Sequence, residues 1–202
     1  MFRNIRLLVV AVITLASVAC AKPPQAQVDA ANAALSKATG AGAPEYAREA
    51  YSAAQEAVAK LDAELKTQAN KFALTRSYAE ATRLAAAATA AAEKAANDAV
   101  QRKQAAQTEA STVVADARAA IQDAETALSD APKGKGSKAD LKALQSDLTA
   151  AKSALGEAET ALNNEHFRDA KAKAEAAKEK ATGVKAGVDQ AIQSRQGGRR
   201  KG

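Results

Sequence analysis

Residues 141–167 read LKALQSDLTAAKSALGEAETALNNEHF. Leu141, Leu144, Leu148, Ala151, Leu155, Ala158 and Leu162 recur in alternating steps of three and four, the period at which one face of an α-helix returns. Asn163-Asn164 interrupts the pattern, and Phe167, Ala170, Ala174, Ala177, Ala181, Val184, Val188 and Ile192 then resume it. A turn so short makes the two helices antiparallel neighbours, with large residues of one opposite small residues of the other. This hairpin fixes the fold class as all-α, built of long antiparallel helices packed in a coiled-coil-like way.

Upstream, Ala131-Pro132-Lys133-Gly134-Lys135-Gly136-Ser137 is a linker, because proline and glycine both oppose helix continuation. Before it, Tyr78, Ala85, Ala92, Ala99, Ala106, Val113, Ala120 and Ala127 stand at unbroken seven-residue steps. The companion positions Ala81, Ala88 and Ala95 give way to Arg102, and small residues resume one place later at Ala110, Ala117 and Ala124. A straight helix drifts by about 20° per heptad, so this handover fits one long helix that changes neighbours, or a joint near residues 101–107. A break is expected near Thr75 to Ser77. Before it, Tyr46, Ala50, Ala54, Ala57, Leu61 and Leu65 mark a helix from Pro44 to about Asn70, and a short first helix from Ala26 to Ala38 is stopped by Gly40-Ala41-Gly42-Ala43-Pro44. A shift of 89 residues lays Tyr78 on Phe167, Ala81 on Ala170, Ala85 on Ala174, Ala88 on Ala177 and Ala92 on Ala181, with Leu74 and Leu162 shortly before, so an internal duplication is one reading and chance similarity in alanine-rich sequence the other.

Composition agrees with this layout. The chain has 58 alanines in 202 residues, no tryptophan and four prolines, which favours helix nearly throughout. Alanine buries little side chain, so the core is expected to be thin and to need close helix approach.

The first residues have a different character. Arg3 and Arg6 precede Leu7–Ala19, an uncharged stretch of thirteen residues, in the layout of a secretory signal. Such a helix spans about 20 Å, short of the roughly 30 Å bilayer core. The end of that stretch, Ala16-Ser17-Val18-Ala19-Cys20, resembles the bacterial lipoprotein signal, with Ser17 where that family usually has leucine. The resemblance implies that residues 1–19 are removed, that Cys20 is acylated, and that Ala21 in place of aspartate directs the protein to the periplasmic face of the outer membrane. Cys20 is the one cysteine, so no internal disulfide can form. Loss of Arg3 and Arg6 lowers the formal charge from +6 to +4. The expected organisation is then a tether at 20–25 stiffened by Pro23 and Pro24, a helical region at 26–130, the linker at 131–137, a hairpin at 138–194 and a basic tail at 195–202.

Ala43-Pro44-Glu45-Tyr46 with Leu74, Tyr78, Ala81 and Ala85 also resembles an uncharacterised domain family of alanine-rich bacterial lipoproteins, over roughly Val28–Val100. That resemblance implies helical hairpins and an envelope location, and no activity.

Chemistry-bearing residues are sparse. The sole histidine, His166, lies between Glu165 and Asp169 at a helix start. One histidine with two acids is a poor metal-ligand set, so capping by Asn164 and solvent exposure are expected, with no cofactor and no metal. Lys133-Gly134-Lys135-Gly136-Ser137-Lys138 lacks the spacing of a phosphate loop and the strand before it. The tail Arg199-Arg200-Lys201 is basic enough for weak, salt-sensitive contact with anionic lipid or cell wall. Lys201 is followed by Gly202, unlike the C-terminal lysine through which murein-linked lipoproteins are attached. Nucleic acid is excluded as a partner by export and by the lack of an aromatic stacking platform. No nucleophile, base and orienting group can be named together, which argues against an enzyme. The sequence thus points to a lipid-anchored, non-catalytic scaffold, spacer or adaptor whose exposed stripes can take a partner helix or a second copy; the alternative is a helical carrier for a small hydrophobic or lipid ligand.

Overall fold

The computed structural model describes residues 22–131 and 138–199, the last five of these and residues 138–140 by backbone alone. Among the described residues there are six α-helices and no strand. They are α1 (Gln25–Gly40), α2 (Ala43–Tyr46), α3 (Arg48–Ala69), α4 (Ala79–Asp130), α5 (Lys138–Asn163) and α6 (Phe167–Arg199), with a 3-10 turn at Ala73–Thr75 before α4. The chain divides into two compact units, Met1–Arg102 and Lys103–Gly202, and α4 contributes to both.

In the first unit α1, α3 and the first part of α4 surround one core. Val28, Ala31, Val58, Leu61, Tyr78, Ala81, Ala85 and Ala88 are buried together, with Leu35, Leu65 and Leu84 packed on them. Large residues come mainly from α1 and α3 and alanines from α4, so bulk on two helices fills against a smooth third. Leu61 is buried to 1% exposure, which contributes on the order of 2 kcal/mol. Where α1 ends, Gly42 takes φ +82°, a left-handed conformation that other residues adopt at a cost, and a Cβ there would stand 3.2 Å from Tyr46 Cδ2. The Thr39 hydroxyl and the Tyr51 hydroxyl meet at 2.9 Å, joining the end of α1 to the start of α3, and the packing of Val28 and Ala31 with Val58 and Leu61 makes the two antiparallel.

The helix expected to run unbroken from Pro44 to Asn70 is interrupted at Ala47, whose backbone leaves the helical region (φ −135°, ψ 45°). Pro44 sits in the first turn of α2, as its fixed φ favours. The interruption allows Ala43, Tyr46 and Ala47 to be buried together before Arg48 starts α3 in a new direction. Periodicity alone passes over such a break because Tyr46 keeps step with Ala50 and Ala54 in sequence.

The loop between α3 and α4 is tied down at each end. Gln68, the one buried polar side chain among the described residues, donates from Nε2 to Glu64 Oε1 (2.6 Å) and accepts the Ser77 N–H at Oε1 (3.0 Å). Arg76 donates from Nε to the Lys71 carbonyl (2.9 Å) and from Nη2 to the Ala69 carbonyl (2.8 Å), so its guanidinium closes the open C-terminal end of α3.

α4 is continuous through residues 101–107, and the change of face read from the sequence takes place along it. Ala81, Ala85, Ala88, Ala92, Ala95 and Ala99 are buried in the first part; no residue from Val100 to Glu109 is; burial returns at Ala110, Val114, Ala117, Ile121 and Ala124.

In the second unit the last part of α4 packs with α5 and α6. Ile121, Ala124, Leu148, Ala151, Ala181 and Val184 form one cluster, and Val114, Ala117, Ala158, Ala174 and Ala177 another. The α5–α6 hairpin is antiparallel as the sequence indicates: Glu157 pairs with Lys173 near the turn, and Gly187 lies against Leu144 farther from it. A Cβ on Gly187 would come to 2.7 Å from Leu144 Cδ2, so the glycine makes room for that leucine.

Buried positions of the two units correspond, at a separate offset for each helix. Every alanine of α4 matched by the 89-residue shift is buried along with its counterpart on α6, and Ala95 with Val184 and Ala99 with Val188 extend the match. A shift of 90 pairs buried Val58 and Leu61 with Leu148 and Ala151; a shift of 93 pairs Val28, Ala31 and Ala38 with Ile121, Ala124 and Ala131. Three helices of each unit therefore correspond, and α4 supplies the third helix of one and the first of the other. Leu74 and Leu162 do not correspond: Leu162 packs on the core of its unit, whereas Leu74 is 73% exposed.

Candidate functional site

Cys20, the signal stretch, the basic linker at 132–137 and residues 200–202 lie outside the described residues; residues 195–199, expected in the basic tail, instead continue α6 as helix. No helix among the described residues is long and apolar enough to cross a membrane.

Where chemistry-bearing side chains gather in the described structure is the turn of the α5–α6 hairpin. Two features of the backbone shape it. Asn164 N–H donates to the Thr160 carbonyl (3.1 Å), Glu165 N–H to Leu162 (3.1 Å) and His166 N–H to Ala161 (2.9 Å), a pattern that closes the last turn of α5 with Glu165 in the left-handed region at φ 61°. Glycine usually fills that position. α6 then begins with the His166 carbonyl accepting the Ala170 N–H (2.9 Å). Asn164 is therefore part of the end of α5 and not the cap of α6, because the left-handed turn consumes two residues that a direct helix-to-helix reading leaves for capping.

An open groove of about 460 Å³ lies beside this turn, lined by Ser153, Gly156, Glu157, Thr160, Ala161, Asn164, His166, Asp169 and Lys173. Seven of its nine lining residues carry polar side chains, and the groove is widely open to solvent. The Lys173 ammonium, hydrogen-bonded to Glu157, holds the Glu157 carboxyl below the usual carboxylate range, so Glu157 stays charged. His166 and Asp169 share the groove, but Glu165 is drawn elsewhere: Lys103 Nζ donates to its Oε2 at 2.6 Å. Among the described residues no three His, Cys, Asp or Glu side chains are placed to hold a metal ion.

Lys103 has a second contact, its ammonium standing 5.9 Å from the centre of the Phe167 ring. It starts a ladder. Beyond Lys103–Glu165, α4 and α6 are bridged by Glu109–Lys171 (2.8 Å), Asp116–Lys178 (2.9 Å) and Asp123–Lys185 (3.6 Å), each pair 62 residues apart in sequence, as parallel helices in constant register require. α4 and α5, running antiparallel, are joined by Arg118–Glu159 (2.5 Å) and by Glu125–Lys152. Hydrogen bonding to Lys103 lowers the Glu165 carboxyl from its ordinary range, and bonding to Glu109 raises the Lys171 ammonium. These charged positions escape a reading confined to apolar seams. Their signal was nevertheless there: Glu109, Asp116 and Asp123 recur at seven-residue steps, and so do Lys171, Lys178 and Lys185.

Compared with protein families, with curated proteins and with solved structures, the chain matches none.

Proposed function

We propose that this chain is a lipid-anchored envelope protein, held at the periplasmic face of the outer membrane through Cys20, and that its helical units act as a non-catalytic scaffold, spacer or adaptor for other envelope proteins. The likeness to alanine-rich bacterial lipoproteins belongs to the same proposal. The observation that carries the structural part of it is the ladder of ion pairs at constant register between α4 and α6 over an alanine seam. Charged side chains that would serve a substrate in an enzyme are here committed to neighbouring helices, which holds the bundle in one register and leaves its outer faces for contact. The openness of the groove at the hairpin turn favours this reading over a carrier of hydrophobic ligands, which calls for a sheltered apolar cavity.

Crosslinking in intact cells, with photoreactive residues on the outward faces of α3 and α5, tests the proposal. Specific adducts with envelope proteins, or with a second copy of the chain, are expected. Adducts with lipids or small molecules alone would contradict the scaffold role.

A further inference from the structure

Phe72 and Leu74 are 72% and 73% exposed, two residues apart in the loop joining α3 to α4. Among the described residues the one other exposed large apolar side chain is Val100, and in the second unit the leucine before the third helix is packed on the core. The exposure of this pair is also imposed by the backbone. Arg76 binds the carbonyls of Ala69 and Lys71, Gln68 binds the Ser77 N–H, and the Thr75 N–H and hydroxyl both bind the Phe72 carbonyl at 2.9 Å, so the loop is held in the conformation that turns Phe72 and Leu74 outward.

Two further facts say what covers them. The segment from Lys66 to Ser77 carries Lys66, Lys71 and Arg76 and no acidic residue, so the chain on both sides of the apolar tip is cationic. The tip also shares an end of its unit with the start of α1: α1 and α3 are antiparallel, α4 returns after a short loop, and Val28 in the first turn of α1 is buried in one cluster with Tyr78 just ahead of α4. Cys20 precedes Gln25 by five residues, at most about 18 Å of extended chain. A membrane that holds the lipid on Cys20 therefore lies within reach of the tip.

We infer that the 70–77 loop is a second membrane contact: Phe72 and Leu74 enter the interfacial layer of the leaflet that holds the anchor, while Lys66 and Lys71 meet anionic headgroups. An apolar pair flanked by basic residues matches an anionic lipid surface in both parts. With the anchor it gives two points of attachment at one end of the unit, which orients the first unit against the bilayer where a single point of attachment leaves it free to rotate. The inference rests on the anchor reading for the choice of membrane.

The chain has no tryptophan, so Phe72→Trp introduces a single reporter at an exposed site. Val100→Trp, also exposed and about 30 Å farther along α4, serves as the reference. Each full-length variant is purified from membranes and reconstituted in vesicles of phosphatidylethanolamine and phosphatidylglycerol, some with lipids brominated near the headgroup end of the acyl chains. A blue-shifted emission at position 72, quenched by the bromolipid and absent at position 100, is the expected result. Emission at 72 matching that at 100, without quenching, would overturn the inference. A blue shift at 72 present without vesicles and growing with protein concentration would also overturn it, assigning the tip to a second copy. The N-terminal mass of the same samples reads acylation of Cys20 separately, so loss of the anchor and loss of the tip contact are told apart.

Discussion

Ala174 shows what the small residues of this protein do. It is fully buried between α6 and its neighbours, in the cluster with Val114, Ala117 and Ala158, where the helices approach closely because no larger side chain keeps them apart. Two residues away Ala172 is exposed. Ala174→Leu is expected to lower stability by about 1–3 kcal/mol, since added methylene groups force the helices of a packed seam to separate, whereas Ala172→Leu changes it little. Urea unfolding followed by helical circular dichroism measures both; equal midpoints for the two variants would mean that the seam is not closely packed. Such positions were legible from period alone, and all the predicted seam residues of α6 from Phe167 to Val188 are buried. The pairing of Leu74 with Leu162 fails for an equally physical reason. A leucine shortly before an aromatic helix start looks like core in sequence, but the hydrogen bonds of Gln68 and Arg76 that turn the 70–77 loop outward are made by single polar residues with no periodicity to reveal them.

At the scale of elements, the hairpin, the break before α4 and the change of face along α4 all followed from apolar spacing, because each depends on which side of a helix is covered. The interruption at Ala47 and the left-handed residue Glu165 did not, since both are backbone events over one or two residues. The charged ladder adds a condition on how the elements of the second unit stay together. Glu157 and Glu165 ionise more readily in the fold than in the unfolded chain, so their contribution is present above the ordinary carboxylate range and is lost as pH falls through it, the unfolded chain taking up protons first. Lys171 is shifted upward by Glu109, so its contribution is complete below the ordinary lysine range and is lost as pH rises beyond it. The thermal midpoint is therefore expected to be flat near neutrality and to fall both below about pH 4 and above about pH 10.5. The effect is small and weakens in high salt, because the pairs face solvent. Scanning calorimetry across pH checks this, with Glu157→Gln/Glu165→Gln expected to show a shallower acid branch; an acid branch unaltered by the double substitution would assign the pH dependence to other groups.

For the molecule as a whole, two three-helix units built to one pattern share α4, and each presents a charged exterior over an alanine-lined core. The 89-residue shift made the correspondence of the third helices visible. The shifts of 90 and 93 were hidden because the loops between the helices differ in length, and one offset cannot follow all three. Sequence was informative about fold because burial in helices is periodic, and much less so about the site because a partner surface has no period. Cys20 is where the proposed function can be tested most directly. Mass spectrometry of the N-terminal peptide of protein recovered from the bacterial outer membrane fraction is expected to show a chain that begins at Cys20 and carries diacylglycerol on its sulfur. A chain that begins at any other residue, or at Cys20 without lipid, would contradict the anchored reading.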